Sequence, residues 1–171
     1  MLFRSDPGAL ANFLEAVETL ASHIPIVFPV HPRVKARLAR PEGRGTGAIE
    51  PGEPLRSKGI AYIDPLGYLD FVALVSRARL VLTDSGGIQE ESTFLRVPCL
   101  TLRTTTERPV TVTHGTNRII GSDPGRILDE ALQALANPPR HTGPPPPLWD
   151  GHAAERIVDV LEAHGQTTPS A

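Results

Sequence analysis

A single cysteine, Cys99, leaves this chain no internal disulfide and fits a reducing compartment. It lies in the apolar run Val97-Pro98-Cys99-Leu100, where a thiol reads as a small buried hydrophobe rather than a nucleophile. Net charge is also scarce, at -2, which argues against nucleic-acid or anionic-membrane partners. An anionic ligand would have to be met by local basic residues or backbone donors. No uninterrupted apolar run approaches the ~20 residues of a membrane span. The opening Met1-Leu2-Phe3-Arg4-Ser5-Asp6-Pro7 lacks the basic-then-apolar pattern of a signal peptide. These absences set the expectation of a soluble, cytoplasmic protein. His23, His114, His141, His152 and His164 are scattered without ligand spacing, and no His/Cys/Asp/Glu grouping looks like a metal site. The P-loop pattern, the G-x-G-x-x-G dinucleotide fingerprint and the G-x-S-x-G serine elbow are missing as well.

What remains is ordinary globular material. A chain of 171 residues, 40% apolar and 21% charged, supports one domain with a real core. We expect that domain over 1–164 and a flexible polar tail over 165–171. Asp6-Pro7 is a good helix opening, and Leu10, Phe13, Leu14, Val17 and Leu20 follow at helical spacing. Ile24–Val30 is apolar and β-branched, as suits an interior parallel strand buried on both faces. Val34–Arg40 reads as a short basic helix and Pro41–Pro54 as a surface loop. Strands are then expected at Ile60–Ile63, Leu80–Leu82, Pro98–Leu102 and Arg118–Ile120. Helices are expected at about Tyr68–Val75, Ile88–Leu95, Asp123–Leu135 and Ala153–Leu161, with Pro138–Pro147 too proline-rich for regular structure. Strands alternating with helices predict an α/β fold, a Rossmann-like doubly wound parallel sheet.

The most informative stretch is Thr83-Asp84-Ser85-Gly86-Gly87-Ile88-Gln89-Glu90-Glu91, a strand end, two glycines and a helix start. Unpaired N–H groups and a partial positive charge at that start favour a phosphate or diphosphate, with Ser85 as an added donor. In an open parallel sheet, ligands bind beyond the carboxyl ends of the strands, where this loop must sit. Glu91, one helical turn after Gly87, is placed to accept from both hydroxyls of a ribose. The alternative is a plain strand-to-helix turn with a surface glutamate. Arg108, in the loop after the next strand, could reach the same anion with a forked guanidinium; otherwise that loop is a solvated charged segment. His31 follows a buried strand and is either a site residue or a capping or packing histidine.

Taken together, these residues carry a resemblance. The string Leu82–Glu91, then Thr105-Thr106-Glu107-Arg108-Pro109 and Gly115-Thr116, resembles the signature of non-hydrolysing bacterial UDP-N-acetylglucosamine 2-epimerases. Phe28-Pro29-Val30-His31-Pro32, Asp64-Pro65-Leu66-Gly67-Tyr68-Leu69 and Asp150-Gly151 with Ala153-Ala154 and Arg156-Ile157 match in the same order. The resemblance implies one half, the C-terminal half, of the two-domain GT-B architecture, with the active site in the cleft between domains. It implies that Ser85, Gly86 and Gly87 bind the diphosphate, Glu91 the ribose and Arg108 the phosphates, with His31 near the cleft. The implied reaction interconverts UDP-N-acetylglucosamine and UDP-N-acetylmannosamine by eliminating UDP and adding it back. It needs no metal or nicotinamide cofactor and feeds cell-envelope polysaccharides.

The family's first domain, expected to supply the acidic residues that move the C2 proton, has no counterpart in these residues. The chain therefore reads as a fragment or one piece of a split enzyme, able to hold UDP but not to epimerise alone. It is expected to self-associate or to pair with a separate N-terminal half. Two other readings share the motif: the donor-binding half of a GT-B glycosyltransferase, and a non-catalytic nucleotide-sugar binding remnant.

Overall fold

The computed structural model describes residues 7–32, 34–35, 55–138 and 145–165. Asp6, the loop over 41–54, most of the proposed Val34–Arg40 helix and the tail beyond Gly165 lie outside the described residues. So does 139–144 of the proline-rich stretch. Val34 and Lys35 are helical, their N–H groups donating to His31 O at 2.8 and 3.0 Å.

The chain order is α1 (Pro7–Leu20), β1 (Ile26–Pro29), β2 (Leu55–Ser57), β3 (Ile60–Ile63), α2 (Tyr68–Ser76), β4 (Val81–Thr83) and α3 (Gly86–Phe94). It continues with β5 (Cys99–Thr101), α4 (Pro109–Thr113), β6 (Asn117–Ile119), α5 (Pro124–Ala136) and α6 (Ala153–Gly165). The strands form two three-stranded sheets, ordered β1-β3-β2 and β4-β5-β6. Within them β1 and β3, β4 and β5, and β5 and β6 pair in parallel, the result expected of alternating strands and helices. Two elements escaped the sequence. The strand β2 pairs antiparallel to β3 across Lys58-Gly59, both in the left-handed region with φ of 49 and 83°. The short helix α4 opens on Pro109, its fixed φ suited to a first helical turn.

One apolar core joins the two sheets. Helix α1 turns Leu10, Phe13, Val17 and Leu20 inward, and they share a cluster with Ile60 and Tyr62 of β3 and with Leu100, Leu102 and Ile127. Phe13 meets Phe28 edge-on at 5.5 Å between ring centroids, and Phe28 tilts against Tyr62 at 5.8 Å. Asp123 caps α5 as the sequence predicted, accepting from Arg126 N at 2.8 Å. The expectation that the first strand is buried on both faces does not hold: Val27 is 45% exposed, and among the described residues β1 pairs with β3 alone. Cys99 is buried, and desolvation pushes its thiol up to about 11, so it stays neutral and inert as expected.

Helix α3 departs from the usual amphipathic rule. Its buried residues are Gln89, Ser92 and Thr93, while Phe94 is exposed. A polar helix face can be buried only if the groups across from it are also polar and tightly fitted. Gly115 provides that fit against α4, since a Cβ there would stand 2.3 Å from Thr111 O and 2.5 Å from Thr93 Oγ1. Gly115→Ala is therefore expected to lower unfolding stability by about 1–3 kcal/mol, the scale of overpacking, in a urea titration; unchanged stability would show that the loop yields freely.

Candidate functional site

Three strand ends bring the sequence's candidates together. Parallel pairing of β4 with β5 sets Thr83 opposite Thr101, so the loops that follow them leave the same edge side by side. From the first comes α3, with Ser85 as its N-cap; the Ser85 side chain makes no cap hydrogen bond, and its N–H donates to Thr83 Oγ1 at 3.0 Å. The N–H groups of Gly86, Gly87 and Ile88 form the first turn and by helical geometry have no intrahelical acceptor. The helix thus starts two residues earlier than the sequence predicted, with both glycines inside it.

Those glycines are informative by what surrounds them. A Cβ at Gly87 would meet nothing within 4 Å, and one at Gly86 would meet only Arg108, with Cγ and Nε each at 3.9 Å. Neither residue has a left-handed φ. The protein's own packing and backbone therefore do not require glycine here, although each glycine in a helix costs roughly 0.5–1 kcal/mol relative to alanine. Both leave the backbone of the first turn of α3 without a side chain over it.

From the second loop comes Arg108. Its guanidinium lies over the start of α3, with Nε 3.1 Å from Glu90 Oε1. The side chains are roughly two-fifths exposed, so the pair adds little stability by itself, and its effect is to orient the guanidinium. Arg103, in the same loop, pairs with Glu107 at 3.3 Å. Glu91 is half-buried one turn along α3. Burial, and then the neighbouring Glu90 carboxylate, raise its pKa above the usual glutamate value.

His31 enters from the third strand end. A cavity of about 540 Å³ is lined along β1 and β4, and His31, Thr83, Asp84, Ser85 and Ile88 all contribute to its wall. Lys35, just beyond His31, pairs with Asp64 after β3 at 2.8 Å, tying the end of β3 to that of β1. Among the described residues no cluster of His, Cys, Asp or Glu is arranged for a metal ion, and no helix is long and apolar enough to cross a membrane.

The geometry thus sets a helix N-terminus, an arginine and a half-buried glutamate at the end of one sheet, beside a wall of the other sheet that carries His31. A family model for UDP-N-acetylglucosamine 2-epimerase matches residues 3–162. The chain belongs to that family. The UDP-N-acetylglucosamine 2-epimerase of Methanocaldococcus jannaschii is 41% identical over 137 residues, covering 80% of this chain and 34% of that protein. The Escherichia coli K12 enzyme is 38% identical over 156 residues, covering 90% of this chain and 39% of the relative. The structure of the M. jannaschii enzyme in complex with UDP-GlcNAc and UDP superposes with a TM-score of 0.78 at 34% identity, over 92% of this chain and 41% of that one. A UDP co-structure of S. aureus MnaA gives 0.75 at 28% identity over 99% of this chain and 45% of the other. The α/β architecture is thus that of one part of these GT-B epimerases, and the chain spans 34–39% of the length of the two relatives named.

The sequence did not single out Gln89, Thr106, Thr111 and Asn117, which interlock beneath Arg108. A signal was present: Gln89 of the motif and Ser92 and Thr93 just beyond it share one helix face, and all three are uncharged and polar.

The raised pKa of Glu91 has a definite sign. The folded state holds this proton more tightly than the unfolded chain does, so stability falls as pH rises from about 4.5 through the folded pKa. Glu91→Gln is therefore expected to be slightly more stable than the parent at pH 7, by about 0.5 kcal/mol or less. The gain should vanish near pH 4 in paired thermal melts; a gain that persists there has another origin.

Proposed function

We propose that this chain is the UDP-binding part of a UDP-N-acetylglucosamine 2-epimerase. The N-terminus of α3 takes the diphosphate, through the N–H groups of Gly86 and Gly87 and the Ser85 hydroxyl. Arg108 neutralises the same anion, Glu91 accepts from the ribose hydroxyls, and His31 stands at the cleft wall. In an epimerisation that proceeds by loss and return of UDP, these groups bind the leaving group. They hold the diphosphate while negative charge collects on it as the bond to the sugar breaks, and keep it placed for return. The observation that supports this reading best is the pair of unrequired glycines with Arg108 beside them. The substrate is a UDP-sugar, met in the cytoplasm and destined for envelope polysaccharide; C2 proton transfer falls to residues outside these 171, so the chain alone does not epimerise.

We also propose that this part associates with another. Helix α6 has no buried residue and leaves Ile157, Val158, Val160 and Leu161 more than half exposed. A contiguous apolar face of that kind is suited to a separate N-terminal half or a second copy of this chain. Sedimentation velocity is expected to show concentration-dependent association that Leu161→Lys abolishes; a monomer at every concentration, with added N-terminal half unbound, refutes it.

Calorimetric titration with UDP tests the site. Arg108→Ala is expected to weaken binding by about 10- to 100-fold, since it removes charge-assisted hydrogen bonds of roughly 1.5–3 kcal/mol. Glu91→Ala should weaken it less. Gly87→Ala should weaken it while leaving the melting temperature unchanged or raised, because its methyl meets only the ligand's space. No binding by the parent chain, with or without an N-terminal half, would overturn the reading.

A further inference from the structure

Two adjacent residues of α3 reach Arg108 from opposite ends. Glu90 pairs with the guanidinium, and Gln89 connects to the backbone through Thr106. Gln89 is fully buried, and its Oε1 accepts from Thr106 Oγ1 at 2.6 Å and from Asn117 Nδ2 at 3.1 Å. Thr106 Oγ1 in turn accepts the Arg108 N–H at 2.9 Å. On the other side, Asn117 Nδ2 donates to Thr111 Oγ1 at 3.0 Å, and that hydroxyl donates to Arg108 O at 2.7 Å. Thr101 Oγ1 fixes the Asn117 amide by donating to its Oδ1 at 2.6 Å. The Arg108 N–H is thereby tied to the Gln89 carboxamide oxygen through Thr106, and the Arg108 carbonyl to the same oxygen through Thr111 and Asn117.

Three features indicate that this arrangement serves Arg108 rather than general stability. Arg108 adopts φ −124 and ψ 61°, neither helical nor extended; as N-cap of α4 its carbonyl also accepts the Thr111 N–H at 3.0 Å, whereas its own N–H is met by Thr106 Oγ1 rather than by the helix. The other half of the Gln89 amide, Nε2, is buried without a partner among the described residues, a costly group to retain for packing alone. Gln89 also belongs to the helix whose N-terminus Arg108 overlies, so the two anion-binding elements are joined by a path of two hydrogen bonds.

We infer that Gln89 is the positioning residue for Arg108, fixing its backbone so that the guanidinium stands over the first turn of α3. The consequence for ligand rests on the proposed UDP site; the positioning itself does not. Gln89→Met keeps the shape of the side chain and removes the acceptor, and Thr106→Val cuts only the link to the Arg108 N–H.

The test combines two readouts. In a double-mutant cycle on UDP affinity, Gln89→Met and Thr106→Val are each expected to weaken binding by about tenfold. The same changes made in the Arg108→Ala background should add almost nothing, whereas a merely structural role would add its full loss there. Amide hydrogen exchange supplies the second readout: exchange at Arg108 should accelerate in both variants while that at Leu82 and Thr83 is unchanged. Should Gln89→Met fail to fold, Thr106→Val carries both measurements. Losses that add to Arg108→Ala, or Arg108 exchange that does not change, would overturn the inference. If the parent chain binds no UDP but Arg108 exchange still accelerates, the positioning stands and the UDP reading falls.

Discussion

Parallel pairing of β4, β5 and β6 is the constraint from which the site follows. Register places Thr83 opposite Thr101 and Ile119 opposite Thr101 on the far side, so three consecutive strands end at one level. Because parallel strands point the same way, their trailing loops must emerge at a common edge. The helix start after Ser85 and the arginine loop before Pro109 meet for that reason, although more than twenty positions separate them in sequence. A one-residue slip would turn the inward side chains of β5 outward and dismantle the arrangement.

The two faces of this sheet are stabilised by different physics. Helices α1 and α5 cover one face with apolar side chains, where burial of Leu, Val and Phe contributes roughly 1.5–3 kcal/mol each. On the α3 side the packing is polar: Gln89, Thr101, Thr111 and Asn117 are all nearly inaccessible and are linked by hydrogen bonds of 2.6–3.1 Å. Each such bond adds only about 1 kcal/mol net, but losing one partner exposes the other to the full cost of an unmet buried group. Directional bonds fix angles as well as distances. That suits a face which must present an arginine at a defined height above a helix start.

Elsewhere the fold is open. The strands β1 and β4 each pair on one edge, and the cavity of about 540 Å³ runs along them. The wall carrying His31 and the wall carrying Ser85 therefore belong to different sheets, joined through the core beneath α1. Helix α6, amphipathic and without a buried residue, is the other unfinished surface. Both fit a chain that spans only part of the length of its relatives.

Much of this was readable beforehand because it is written in local chemistry. Apolar spacing in α1, the Asp123-Pro124 cap of α5, the short apolar runs around β3 and β5, and the order of motifs from Phe28 to Ile157 are properties of neighbouring residues. They carried the fold class and the family. Other features stayed hidden because their cause lies far along the chain. The strand β2 has only three residues and owes its state to pairing with β3, and α4 has five, too few for a periodic signal. Gln89 stood in the motif string without a role of its own; its burial depends on Thr106 and Asn117, seventeen and twenty-eight positions away. The sequence by itself determined which residues can bind an anion, since donors, charge and glycine are properties of residue types. Only the tertiary structure decided which of them meet and which buried amide holds them there, because hydrogen bonds between distant residues exist only after the strands have set their register.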